Sequence, residues 1–437
     1  MKKGRTKMKV ETKKMNQAML RSIIPGLGQF YNGQVIKGVC FFVVFLLFIG
    51  EMILWGNRAF YNFFTLGSVP MVDHSLFLLV QGILQMVFTV IFILFWLINL
   101  RDAKIVAEKK NAGEKINTKL KDNLLDLYEN GFPYLLTIPA YIVMIVAIVL
   151  PVLVTLFMAF TNYDFKNIPP ANLLDWVGMQ NFSNIFTLTS YKATFGKVFS
   201  WTIIWTLLST TLQISIGIFL AILCNQKFLK FRRIFGVVFL LPWAVPAFIT
   251  IMSFSNIFND TAGAINTQVI PLINQLPFVE IGSIAWKTNP FWTKVAIILV
   301  QGWVGFPYIY VMVTSILQSI PEGLYEAADI DGANAFQKFK SITLPSIFLV
   351  AAPTFITQYT GNFNNFSLIY LFNNGGPGSL GNNAGSTDIL ISWIYKLTTG
   401  GSPQYAIASA ITLIISAIVI TISLIAFKRT NAFNMED

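Results

Sequence analysis

Eight long apolar segments constrain this chain more than any other feature of its sequence. A helix needs about 20 mostly apolar residues to cross the hydrocarbon core of a membrane. Hydrophobic residues make up 55% of the 437 residues and charged residues 12%, and a water-soluble fold cannot bury that much apolar surface. The sequence therefore predicts an all-α integral membrane protein with eight transmembrane helices. The predicted helices cover residues 38–56, 75–100, 135–160, 198–224, 234–257, 295–319, 346–371 and 404–427.

Basic residues are distributed unevenly between the two sets of segments that connect these helices. One set, which includes both ends of the chain, holds 24 of the 31 lysines and arginines. Because cytoplasmic segments carry the excess of basic residues, both termini are predicted to be cytoplasmic. The net charge of +11 then reflects topology, and no nucleic-acid partner is expected. The seven basic residues predicted to lie outside are Arg58, Lys166, Lys192, Lys197, Lys287, Lys294 and Lys396.

The order of charged and apolar segments divides the chain into four parts. Residues 1–37 are predicted to be a basic cytoplasmic tail followed by a helix at the membrane interface, because glycines and polar residues interrupt the apolar run there. Residues 38–100 form an accessory pair of membrane helices, and the charged segment 101–132 is a cytoplasmic linker. The remaining six helices, within 133–430, form a core with one unusual cytoplasmic loop at 320–345.

The core lacks the residues that ion-driven transport or catalysis requires. Ionisable side chains inside a membrane usually mark ion or proton paths, yet every one in the six-helix core falls in a loop or at a helix end. Glu51, late in the first helix, is the exception in the chain. With one histidine, His74, and no phosphate-binding loop, neither a metal site nor an ATP site is predicted. We expect no catalytic residues, so any uphill work must use energy from a partner.

Residues 326–345, EAADIDGANAFQKFKSITLP, form a polar stretch where a tight turn would be enough to join two membrane helices. Ser319 with Glu322 three residues later matches a capping box, which predicts that a helix begins there. Gly332 allows a sharp bend, and a second short helix is predicted over about 334–342. Two crossed helices on the cytoplasmic side indicate a docking element.

This stretch resembles the signature loop of the permease subunits of ABC importers. The shared pattern is E-A-A-x-x-x-G, nine residues, then I-x-L-P. The resemblance implies that the loop couples the permease to an ATPase subunit. The matching residues are Glu326, Ala327, Ala328, Gly332, Ile342, Leu344 and Pro345.

Further motifs are similar to those of the maltose and maltodextrin permeases of the MalF type. They include LLPWAVPAF, GWVGFPYIY and GNFNNFSLIYLFNNGGP, and the presence of eight rather than six predicted helices agrees. One departure is the loop between the third and fourth helices. It has about 37 residues, far fewer than the folded insert of enterobacterial MalF proteins. This favours the plasma membrane of a Gram-positive bacterium as the location.

The resemblance also implies a sugar site near the middle of the membrane. Amides offer donors and acceptors to sugar hydroxyls, and aromatic rings stack on apolar sugar faces. The two asparagines are expected to share one helix face, with the tyrosine and a glycine that leaves room for a sugar ring opposite. The implied sugar-contacting residues are Gly305, Tyr308, Asn362, Asn365 and, in place of another aromatic, Trp243. Ala247, Gln301 and Gln358 stand where the enterobacterial protein has other residues.

Taken with the resemblance, the chain is expected to be the larger permease subunit of an ATP-driven importer of maltodextrin-like oligosaccharides. Its expected partners are a second, MalG-like permease, a dimer of ATPase subunits that uses ATP and Mg²⁺, and an extracellular sugar-binding lipoprotein. No cofactor is expected in this chain. Two alternatives remain open at this stage, which are an ion-coupled secondary sugar carrier and a membrane sensor that recruits an ATPase without transporting sugar.

Overall fold

The computed structural model describes residues 16–429, apart from 115, 117–118, 120, 122–124, 126 and 227–228. The described residues are mostly helical, and the only β-type pairings among them are two isolated bridges. The predicted all-α membrane fold is confirmed. Within the described part of the chain, seven helices are long and apolar enough to cross a membrane, namely Val35–Thr65, Ser75–Asn111, Phe132–Met158, Thr189–Cys224, Pro290–Ser319, Ala335–Asn373 and Tyr405–Arg429.

The chain divides into two compact units, the first ending at Val177 and the second beginning at Gly178. The first unit therefore contains three of the long helices, one more than the predicted accessory pair. Its helices are α1 Leu27–Asn32, α2 Val35–Glu51, α3 Asn57–Thr65, α4 Ser75–Asn111, α5 Phe132–Met144 and α6 Leu150–Met158. Short π-helical segments, Met52–Gly56 and Ile145–Val149, join α2 to α3 and α5 to α6.

The start of the first unit is anchored by polar side chains against the second long helix, α4. Gln29 Nε2 donates to the carbonyl of Asn99 at 3.2 Å, and Asn32 Nδ2 donates to the carbonyl of Ala103 at 2.8 Å. The amide of Asn99 in turn donates to the carbonyl of Ser22 at 2.8 Å. These bonds hold α1 and the residues before it beside the polar end of α4.

Aromatic stacking and one buried polar contact join the helix pair of the first unit. The rings of Phe48 and Phe92 stack with centroids 3.8 Å apart. Glu51, the ionisable residue in the first membrane helix, accepts a hydrogen bond from Gln85 Nε2 at 3.2 Å. Its carboxylate is therefore paired across the two helices rather than pointing alone into lipid.

The second unit holds most of the predicted core. Its helices are α7 Gln180–Thr187, α8 Thr189–Cys224, α9 Arg232–Val238, α10 Leu241–Ala244, α11 Ala247–Ile257, α12 Ile270–Ile273, α13 Pro290–Ser319, α14 Glu322–Ile330, α15 Ala335–Lys338, α16 Leu344–Phe363, α17 Phe366–Asn373, α18 Leu390–Thr399 and α19 Tyr405–Arg429.

Helices α8 and α13 form the centre of this unit because two glycines let their backbones approach closely. A Cβ added at Gly217 would lie 2.5 Å from the Cβ of Ile309, and one at Gly302 would lie 2.9 Å from a methyl of Leu212. Small residues at helix contacts are the usual means of close packing in membranes.

The fifth predicted membrane helix, 234–257, is not continuous. The segment consists of α9, α10 and α11, with Pro242 in the first turn of α10 and Pro246 at the N-cap of α11. Proline lacks the backbone N–H that a continuing helix needs, so the two prolines account for the breaks. The prediction of one uninterrupted helix here was wrong.

Candidate functional site

A network of five amide side chains joins α8, α13 and α16 with the residue that precedes α17. Gln213 is fully buried at its centre. Its Oε1 accepts hydrogen bonds from Gln301 Nε2 at 2.8 Å and Asn362 Nδ2 at 3.2 Å. Its Nε2 donates to Gln358 Oε1 at 2.9 Å, and Asn365 Nδ2 donates to Gln301 Oε1 at 2.9 Å. Buried amides need partners, and here they supply them to one another.

The two asparagines predicted to share a helix face lie on either side of a helix break. Helix α16 ends at Phe363, and Asn365 is the N-cap of α17, where its side chain accepts from the N–H of Leu368 at 3.3 Å. The carbonyl of Asn362 accepts from the indole N–H of the fully buried Trp205 at 2.9 Å. The single-helix prediction was wrong because asparagine side chains compete for backbone partners and favour caps over helix interiors.

Gly305 contributes to the network differently from what the sequence suggested. A Cβ at this position would lie 2.0 Å from Gln213 Oε1. The space next to the glycine therefore holds the amide of Gln213, not an open approach for a sugar ring. A glycine is needed here because the acceptor oxygen that binds two donors sits against the backbone of α13.

Tyr308 and Trp243 form an aromatic pair apart from the network. Their ring centroids are 6.1 Å apart and their planes are tilted by 40°. The tyrosine is 41% exposed and the tryptophan 51% exposed, so both rings present a face that this chain leaves uncovered. Such faces are suited to stacking on the apolar side of a sugar.

Sequence reasoning missed Gln213. The signal was present, because Gln213 is the one amide side chain in the predicted membrane segment 198–224. Because the prediction considered only ionisable residues inside the membrane helices, it did not include this uncharged amide. Thr210 belongs to the same network, since its hydroxyl accepts from Asn362 Nδ2 at 2.9 Å.

The predicted coupling loop begins with α14 and turns at Gly332. The N–H of Gly332 donates to the carbonyl of Asp329 at 3.1 Å, and the N–H of Ala333 donates to that of Ala328 at 2.9 Å. These two bonds, with φ at +73° for Gly332, make a Schellman motif. The bend predicted at this glycine is confirmed.

A capping box is present, but it lies after the bend and not before α14. Asn334 Oδ1 accepts from the N–H of Gln337 at 2.9 Å, and Gln337 Oε1 accepts from the N–H of Asn334 at 2.8 Å. The predicted pair, Ser319 with Glu322, does not cap α14, whose N-cap is Pro321. Ser319 is still part of α13, and its hydroxyl donates to the carbonyl of Ile316.

The second helix of the loop is not a separate element. A π-helical segment, Phe339–Thr343, joins α15 to α16, so the helix predicted over 334–342 is the start of a membrane helix. Leu344 and Pro345 are the first two residues of α16 and directly follow the π-helical segment. Together α15, the π-helical segment and α16 form one continuous helix that begins at the bend, here called the rod.

The loop carries apolar side chains that this chain does not cover. Leu324 is 50% exposed, Ile330 87% and Phe336 69%. Glu326 and Ala327 are exposed beside them on α14, whereas Ala328 is half-buried. Lys338 forms an ion pair with Asp329 across the bend, and Tyr325 shares a hydrogen bond of 2.9 Å with Thr343. The loop is therefore held together by an ion pair and a hydrogen bond, and its exposed surface is partly apolar.

Comparison with known proteins accounts for both regions. The family described as binding-protein-dependent transport system inner membrane component matches residues 213–431, which include the amide network and the loop. The chain belongs to this family. It is 60% identical over 426 residues to the maltodextrin transport system permease protein MdxF of Bacillus subtilis, covering 98% of each chain. It is 58% identical over 429 residues to the permease protein MalC of Streptococcus pneumoniae, covering 98% of this chain and 99% of that one.

The fold is also similar to that of a solved ABC transporter. A bacterial alginate ABC transporter, solved in complex with an alginate-pentasaccharide-bound periplasmic protein, superposes with a TM-score of 0.57. The match covers 71% of this chain and 97% of the other at 21% sequence identity, so it bears on the fold alone. The chain is therefore a multi-pass membrane permease component of an ABC transport system.

Proposed function

We propose that this permease carries maltodextrin-like oligosaccharides across the plasma membrane as one subunit of an ATP-driven importer. The observation that carries the proposal is the match over nearly the whole chain to two maltodextrin permeases. The amide network supports it, because neutral amides suit a neutral, hydroxyl-rich substrate.

The coupling loop is the part of this chain that receives energy. Its exposed side chains, Leu324, Ile330 and Phe336, form an apolar surface that an ATPase subunit would cover, with Glu326 at its edge. ATP and Mg²⁺ would bind to that subunit, and this chain would supply no catalytic group and hold no cofactor. A second, MalG-like permease and an extracellular sugar-binding lipoprotein would complete the assembly.

The sugar would enter the membrane next to the amide network. A hydroxyl that replaces an amide–amide bond exchanges one neutral hydrogen bond for another, which costs little. Asn362 and Asn365 would donate hydrogen bonds to the sugar. The space next to Gly305 holds Gln213 behind them. The Tyr308–Trp243 pair would offer apolar faces to the sugar rings. The helix break at Asn364 gives this site freedom that a continuous helix would lack.

Reconstitution of the whole complex in proteoliposomes separates this function from its two alternatives. We expect maltotriose to accumulate only when ATP is supplied on the side of the ATPase subunits and the sugar-loaded binding protein on the opposite side of the membrane. Uptake driven by an ion gradient without ATP would indicate a secondary carrier. Sugar-stimulated ATP hydrolysis without accumulation would indicate a sensor that recruits the ATPase.

The proposed orientation has its own test. On a background lacking Cys40 and Cys224, single cysteines at Lys109 and Ser402 would be exposed to a membrane-impermeant thiol reagent. Both positions are exposed in the structure. We expect labelling of the Ser402→Cys variant from outside intact cells and protection of the Lys109→Cys variant. The opposite pattern would reverse the assigned topology.

A further inference from the structure

Three lysines line one cavity at the end of the second unit opposite the coupling loop. The cavity has a volume of 940 Å³ and lies between the first turns of α8 and α13 and the loop that precedes α18. This end of both helices is the one predicted to face outside the cell. The lysines are Lys192, Lys197 and Lys294.

These three ammonium groups lack acidic partners. Among the described residues, no carboxylate lies within 4.0 Å of any of them, and Lys294 instead stands 4.6 Å from the ring centroid of Trp201. Lys192 is the fourth residue of α8 and Lys294 the fifth of α13. Positive charge near a helix N-terminus opposes the helix dipole, so an anion in the cavity would be favoured.

Other lysines predicted to lie on the same side show the contrast. Lys396 forms an ion pair with the buried Asp388, with 2.6 Å between its Nζ and the carboxylate. Lys287 Nζ donates to the hydroxyl of Ser255 at 2.6 Å, and burial lowers its pKa against the opposing effect of Asp260. Two lysines on this side thus have a polar partner within the unit. The three lysines of the cavity have no acidic partner among the described residues.

A second observation points to a ligand in the cavity. Ser386 lines it and is only 7% exposed, yet its hydroxyl has no hydrogen-bond partner among the described residues. Native structures seldom leave a buried polar atom unpaired. A carboxylate brought to the lysines would supply the acceptor that this hydroxyl lacks.

We propose that this cavity, the lysine pocket, receives acidic side chains of the extracellular sugar-binding protein when that protein docks. Its volume greatly exceeds the space of a single ion and suits a protruding loop with one or more carboxylates. Leu380 and Ser386 belong to the loop outside the membrane helices, so a protein reaches the pocket without crossing lipid. The inference rests on the proposed importer function, and it assigns the docking site.

The test measures how ATP hydrolysis by the reconstituted complex depends on the concentration of maltotriose-loaded binding protein. In the triple variant Lys192→Gln, Lys197→Gln, Lys294→Gln we expect the half-saturating concentration to rise about tenfold, because lost charge complementarity slows association. The basal and maximal rates should stay at the wild-type values. In wild type the half-saturating concentration should rise with salt, and in the triple variant it should rise less.

Lys166→Gln is the matched control, since Lys166 is an exposed lysine predicted to face outside that does not line the pocket. It should behave as wild type. A triple variant with wild-type half-saturation and salt dependence would overturn the proposal. The proposal would also be overturned if the difference between the triple variant and wild type appeared only in membranes with anionic lipid. That result would assign the pocket to a lipid headgroup. If wild type itself shows no stimulation by the binding protein, the importer function fails instead.

Discussion

The amide network and the coupling loop are both polar interruptions in a hydrophobic protein, yet the side chains of the network are buried and those of the loop are exposed. In the network, Gln213, Gln301 and Asn362 are each less than 8% exposed and bonded to one another. In the loop, Ile330 and Phe336 are more than two-thirds exposed. The hydrogen bonds of the first region are made within this chain, and the second is the surface that an ATPase subunit is proposed to cover.

The difference shows how one helix can serve two sites. The rod that begins with α15 at the bend continues into α16 and ends at the break next to Asn362. Those 29 residues, from Ala335 to Phe363, span about 40 Å at 1.5 Å per residue. We therefore expect a displacement of the exposed loop to reach the network, where the break would allow hydrogen bonds to be exchanged.

The largest effect is expected from Gly332→Pro at the bend. Proline fixes φ near −65° and lacks an N–H, whereas Gly332 has φ at +73° and donates to Asp329. We expect ATP-driven uptake to fall below about a tenth of wild type, since the Schellman motif that fixes the angle between α14 and the rod is lost. Uptake in proteoliposomes at matched complex levels measures this.

Gly332→Asn is the control, because asparagine tolerates the left-handed conformation and nothing lies within 4 Å of a Cβ at this position. It should keep at least about half of the uptake. Near-normal transport by the proline variant would contradict the role assigned to the bend.

The next effect concerns the hub of the network. Gln213→Leu leaves the amides of Gln301, Gln358 and Asn362 each short of a partner, at a cost of about 1–3 kcal/mol per group. We expect a lower thermal midpoint of the purified complex and a severe loss of uptake. Gln226→Leu removes an exposed glutamine just after the end of α8 and should change neither. Equal behaviour of the two variants would show that the network is dispensable.

A smaller effect is expected from Gly305→Ala. The added methyl would lie 2.0 Å from Gln213 Oε1, so that side chain must move away from its two donors. Gly361→Ala adds the same methyl to open space in α16 and is the matched control. We expect the half-saturating maltotriose concentration to rise in the first variant alone. A wild-type value for Gly305→Ala would mean that Gln213 is not held by this glycine.

The smallest effect is expected at the cap of α15. Asn334→Ala removes one side-chain bond of the capping box at a cost of about 1 kcal/mol, on a surface that the ATPase subunit is proposed to cover. Binding of the ATPase subunit to the permease pair should weaken by no more than about fivefold. Asn334→Asp keeps the cap and should bind as wild type. A loss as large as that of Gly332→Pro would place the cap in direct contact with the partner.

Much of the fold could be predicted from the sequence because apolar length decides where membrane helices form. The bend of the loop was also predictable, since Gly332 is the one residue in DIDGAN without a Cβ. The helix breaks were harder, because Pro242, Pro246 and Asn365 act through backbone partners that periodicity does not reveal. Gln213 was missed for a related reason, since its role depends on the space next to Gly305 on a different helix.

Two alanine variants test whether the amide network is the sugar site of an importer. Removing an amide that binds a sugar hydroxyl should cost about 1–3 kcal/mol, or about 5- to 150-fold in affinity. Maltotriose uptake and sugar-stimulated ATP hydrolysis are measured for Asn362→Ala and Asn365→Ala at matched complex levels. For each variant we predict a loss of apparent affinity for maltotriose within this range of about 5- to 150-fold. Sugar binding to the extracellular protein should stay unchanged. Wild-type rates and half-saturation in both variants would place the sugar site elsewhere.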